Sequence, residues 1–71
     1  MPDILWYNSQ ITPQAAVQIA LRQVPGQVID VELDTKSDGR LVYEIDIRTN
    51  SGVYEVKINA ITGEIIRIDL D

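Results

Sequence analysis

Seventy-one residues, 45% apolar and 24% charged, suffice for one small domain and leave no room for a second core. Cysteine and histidine are absent, which excludes disulfide staples, thiolate nucleophiles, Ser-His-Asp triads and His/Cys zinc sites. Six Lys+Arg against eleven Asp+Glu give a net charge of −5, so a nucleic-acid backbone is repelled and is not expected as a partner.

Residues 1–10 read as an N-terminal arm. Ile4-Leu5-Trp6-Tyr7 followed by Asn8-Ser9 has no helix or strand period. The apolar run is far shorter than the roughly 20 residues of a membrane span, and the acidic Met1-Pro2-Asp3 start is unlike that of a secretory leader. Trp6 and Tyr7 are too large and apolar to stay in water, so the arm lies against the domain or against a partner.

Residues 11–71 form the domain. Thr12 is an N-cap and Pro13 suits the first helical position, where its missing N–H costs nothing. At 100° per residue Ala16, Val17, Ala20, Leu21 and Val24 make one stripe, with Gln14, Gln18 and Arg22 opposite. Ile19 falls on the flank, touching the arm or exposed. Pro25-Gly26 ends the helix, Gly26 by tolerating positive φ.

From Gln27 the period becomes two. Ile29, Val31 and Leu33 alternate with Asp30, Glu32 and Asp34; Leu41, Tyr43, Ile45 and Ile47 with Glu44, Asp46 and Arg48. Tyr54, Val56 and Ile58 then alternate with Glu55 and Lys57, and Ile66, Ile68 and Leu70 with Arg67 and Asp69. Short turn-rich links predict sequential hairpins. Matching core to core sets Ile47 against Tyr54, Ile45 against Val56 and Glu44 against Lys57, closing over Asn50-Ser51 or a slightly longer loop. Ile58 opposite Ile66 leaves the loop Ile61-Thr62-Gly63, with Gly63 left-handed. The fold expected is α+β, with one N-terminal amphipathic helix packed on a four-stranded antiparallel meander sheet.

The ordered set Ile11 to Leu21, Val24-Pro25-Gly26-Gln27-Val28, Leu41-Val42-Tyr43-Glu44-Ile45 and Tyr54 to Ile65 resembles the PepSY domain, a module of metallopeptidase propeptides and bacterial envelope proteins. The similarity runs from Ile11 to Asp69, and the family commonly has Asp in place of Asn59. It implies a non-enzymatic module that restrains or modulates peptidases, usually outside the cytoplasmic membrane. The arm shows neither the leader nor the anchor such proteins often carry, which leaves the compartment open.

No catalytic, cofactor or metal residue is expected. The serines have no histidine to act as base. Asp34-Thr35-Lys36-Ser37-Asp38-Gly39 begins like a calcium loop, but Lys36 takes a ligand position and Ile45 stands where the bidentate Glu belongs, so it reads as a hairpin turn. The acids Asp30, Glu32, Asp34, Glu44 and Asp46 form a solvated outer face or, alternatively, a weak cation site or a docking face for a basic partner. Val42, Val53 and Ile65 are assigned to the outer face and, with Trp6 and Tyr7, are the candidate partner-binding residues, unless the arm itself folds across them. The partner expected is a protein, a peptidase among the options. The alternative is a structural scaffold domain of a larger cell-envelope protein, either self-associating, with a homodimer among the options, or one repeat of that protein; the last strand is also an edge that can recruit a strand from another chain.

Overall fold

The computed structural model describes residues 10–71, so Trp6 and Tyr7 lie outside the described residues. Helix α1 (Pro13–Gln23) precedes strands β1 (Gln27–Thr35), β2 (Leu41–Thr49), β3 (Gly52–Asn59) and β4 (Ile65–Leu70). The strands form one antiparallel sheet in chain order. The expected α+β meander is present.

Helix α1 starts as its cap dictates: the Thr12 hydroxyl oxygen accepts the Ala15 N–H at 3.1 Å, with Pro13 in the first turn. It ends where the Val24 N–H reaches the Ala20 carbonyl at 2.9 Å. Gly26 does not take positive φ; Gly39, Gly52 and Gly63 do. Its reason is proximity. A Cβ at Gly26 would run into the Arg48 carbonyl oxygen and lie 2.8 Å from Ile47 Cγ2, so only glycine lets the chain pass this close to β2.

The core joins Ala16, Ala20 and Val24 of the helix end to Tyr43, Ile45, Ile47, Val56, Ile58 and Ala60. Two alanines at the contact bring the helix axis close to the sheet. The helix rests chiefly on β2, with lesser contact to β1 and β3. Ile19 packs on this core over the β3–β4 turn, 3.2 Å from where a Gly63 Cβ would stand, and so belongs to the domain contact. A clip fastens the helix entry. The Ile11 N–H donates to the Ala60 carbonyl at 2.7 Å, and the Tyr43 hydroxyl donates to the Ile11 carbonyl at 2.8 Å.

Register between β2 and β3 is the expected one, with Ile47, Ile45 and Glu44 opposite Tyr54, Val56 and Lys57. The outer strands each carry an irregularity. In β1 the register shifts between Val28 and Asp30, so Val28 faces Ile47 and packs on the core while Ile29 is the extra residue. In β4 the shift puts Ile65, not Ile66, opposite Ile58. Ile65 therefore packs against the core and not on the outer face. The cause is the turn: Asn59 N–H binds the Glu64 carbonyl and Gly63 N–H binds the Asn59 carbonyl, both at 2.8 Å, with Gly63 at φ 80°. Pairing Asn59 with Glu64 delivers Ile65 next to Ile58, and the bulge at Ile66 restores the alternation before Arg67.

Candidate functional site

The sheet's outer face is ordered into cross-strand rows. One row reads Asp30, Asp46, Glu55, Asp69 from β1 to β4, acids on all four strands. The next reads Glu32, Glu44, Lys57, Arg67. Like charges directly opposite are destabilising, and two groups register it. Glu32 is pushed above the usual carboxylate range by sharing a hydrogen bond with Asp30 and by the charges of Asp30, Glu44 and Asp46. Asp46 is raised by burial and by Asp30, Asp71 and Glu44. Among the described residues no group of three or more acids is placed to hold a metal ion together.

Elsewhere on this face the charges pair, Asp69 of the acid row included. Lys36 Nζ reaches Asp34 at 3.1 Å and Glu44 at 3.0 Å, while Arg40 binds Asp38 at 2.8 Å and Arg67 binds Asp69 at 2.9 Å. Lys36, Arg40, Lys57 and Arg67 line an open groove of about 340 Å³ over Val42 and Ile66. Val42 points outward as expected but is only 3% exposed, covered by the stems of these long side chains. Val53, half-buried, sits at the opposite end of the face against Arg48. With Ile65 turned inward, Val42, Val53 and Ile65 are not brought together. The Asp34–Gly39 segment is a hairpin turn, with Lys36 N–H on the Arg40 carbonyl and the Asp38 carboxylate accepting the Arg40 N–H.

The large exposed apolar surface lies instead along the two outer strands. Val31 and Leu33 face the helix side, opposite Ile45 and Tyr43, and Ile68 and Leu70 lie opposite Val56 and Tyr54. All four are exposed, as is Ile29. Sequence periodicity assigns them to the core, and the discrepancy is one of width. A helix is about 10–12 Å across, whereas strands spaced about 4.8 Å apart put β1 and β4 roughly 14 Å from each other. One helix covers the middle and leaves both margins bare. Among the described residues those margins are also unpaired edges, so N–H and C=O groups stand beside apolar side chains without a neighbouring strand.

Residues 10–69 match the family model described as "Peptidase propeptide and YPEB domain", PepSY. The chain belongs to the PepSY family. It is 40% identical over 62 residues to "Uncharacterized protein YkoJ" of Bacillus subtilis (strain 168), covering 86% of this chain and 36% of that protein. It is also similar to the crystal structure of a "putative lipoprotein" from Clostridium difficile 630, with a TM-score of 0.80 and 31% identity over 87% of this chain and 40% of the other. The PepSY chain thus spans little more than a third of the length of these relatives. Membership supports a non-catalytic regulatory module.

Proposed function

We propose that this PepSY domain is a docking module that binds another polypeptide at an open edge of its sheet and performs no reaction, with a peptidase as the partner. The observation that carries this reading is the coincidence, among the described residues, of unpaired strand edges with exposed Ile29, Val31, Leu33, Ile68 and Leu70 on the same margins. The acids with raised pKa values, Glu32 and Asp46, lie on the open outer face and not in a cleft that could exclude water from a reaction. Trp6 and Tyr7 of the arm are assigned to the same contact.

The test is to incubate the full chain with a metallopeptidase of the kind whose propeptides carry such domains. A complex on gel filtration, slower hydrolysis of a peptide substrate and a change in fluorescence of Trp6, the single tryptophan, are expected. Neither complex nor inhibition at large molar excess overturns the reading.

A second reading, self-association, has one observation in its favour. Arg67 and Asp69 flank Ile68 on β4, so two β4 edges pairing antiparallel about Ile68 set each Arg67 against Asp69 of the other copy. Sedimentation would show a dimer that Arg67→Glu dissociates and Arg67→Glu/Asp69→Arg restores. A strict monomer at high concentration excludes it.

A further inference from the structure

We propose that β1 is the docking edge and that it receives an extended segment whose residues alternate between apolar and basic. This rests on the docking reading above and adds the place and the chemistry of what docks.

Strand β1 is the longer of the two edges, nine residues against six in β4. Natural edges are usually guarded by brevity, proline, charged side chains or bulges; β1 contains neither proline nor lysine, and its guards are the bulge at Ile29 and three acids, which exclude a neutral or acidic strand but not a basic one. The bulge at Ile29 leaves the stretch from Asp30 to Thr35 in unbroken register with β2. An added strand there gains main-chain hydrogen bonds along its length.

The side chains of β1 then dictate the partner's pattern. On the helix side Val31 and Leu33 are 37% and 46% exposed, so apolar residues of an added strand extend the core past the reach of α1. On the outer face the same strand meets Asp30, Glu32 and Asp34, backed by Asp46 and Glu44 on β2. Among the described residues Asp30, Glu32 and Asp46 have no cation within 4.0 Å, whereas Asp34 already has Lys36. Lysine or arginine at the outward positions relieves a repulsion already present, which an acidic or neutral segment does not.

The same charges argue against the other occupants. A second copy pairing β1 with β1 sets carboxylates beside carboxylates. The arm of residues 1–10 has Asp3 and neither lysine nor arginine, so it lacks the complement. On β4 the outward Arg67 and Asp69 are already paired at 2.9 Å, so that edge has no surplus of acid to draw an alternating basic segment.

The experiment titrates the full ¹⁵N-labelled chain with a synthetic peptide of alternating Lys and Val, matched in length to β1. Amide shifts confined to β1 and its β2 neighbours, with slowed hydrogen exchange at alternate β1 residues, are expected. A peptide of the same composition with Lys and Val in separate blocks should bind roughly tenfold more weakly. Asp30→Lys/Glu32→Lys, whose β2 and β3 signals check that it folds, should lose the Lys-Val peptide and gain a Glu-Val one. Equal binding of the block peptide, shifts on β4, or no shift at all overturns the proposal. If β1 stays silent while the peptidase forms its complex, the edge assignment falls and the docking reading stands. If both fail, both are withdrawn.

Discussion

Ile45 has no exposed surface and is flanked by Val31 on β1 and Val56 on β3. Truncating it to alanine should cost about 2–5 kcal/mol, a large share of the stability of a domain this small. Leu21→Ala should cost less, because Leu21 only half-buries against the core margin. Urea unfolding of both variants checks the order. Asn59 uses only its Oδ1, which accepts from Ile61 N–H at 2.8 Å and Thr62 N–H at 3.1 Å. Aspartate offers the same acceptor, so Asn59→Asp should leave the melting temperature within a few degrees, while Asn59→Ala should lower stability by about 1 kcal/mol. These roles differ in how far the sequence discloses them. Period two marks Ile45 as core, but nothing in Leu41-Val42-Tyr43 shows that Val42 will be covered, since part of its cover comes from the Lys57 and Arg67 stems of other strands.

At the scale of elements, α1 is the most transparent. Thr12-Pro13 and Pro25-Gly26 bracket it by local chemistry, and Thr12→Ala should remove about 1 kcal/mol by freeing the Ala15 N–H, measurable by thermal melting. The β2–β3 hairpin is equally legible, because both strands alternate cleanly up to Asn50-Ser51. The outer strands are not. Val28-Ile29 and Ile65-Ile66 are apolar doublets, and a doublet fits either parity of a two-residue period. Which member turns inward is set by the neighbouring strand: Val28 meets Ile47, and Ile65 meets Ile58. The doublet itself is the signal that a bulge is present, though not on which side it falls. Gly26 is opaque for a similar reason, since the Arg48 carbonyl that excludes a Cβ there belongs to another strand. Gly26→Ala should therefore destabilise even though its φ suits alanine, with a lowered urea midpoint as the measure.

For the molecule as a whole, the acid rows set the response to solvent. Glu32 and Asp46 have raised pKa values in the folded chain, so between the ordinary and the raised values the folded state holds more protons than the unfolded one. Stability then falls as pH rises through that window and is regained as pH drops toward about 4, the ordinary carboxylate range. Asp38 works in the opposite sense. The Arg40 N–H holds it low, so its contribution is present above the ordinary value and lost in stronger acid. Urea midpoints should accordingly peak on the acid side of neutrality. Added sodium chloride should raise the midpoint at pH 7, because screening acts on repulsion among Asp30, Glu32, Glu44 and Asp46 more than on exposed ion pairs worth little. A midpoint that is flat or falling with salt would contradict the weight given to these rows. None of this follows from composition, which gives the net charge but not the register that aligns four acids.

The clip at Ile11 also governs how the domain bears load. With Ile11 hooked to Ala60 and Tyr43 at one end, and Gly26 wedged against Arg48 at the other, α1 is moored to the sheet fore and aft. A pull arriving from the upstream chain meets those two polar links before it reaches the helix. The traction should pass into the floor formed by β2 and β3, and α1 should start to unwind only once the hook has given way, an order that single-molecule pulling from the N-terminal side would read.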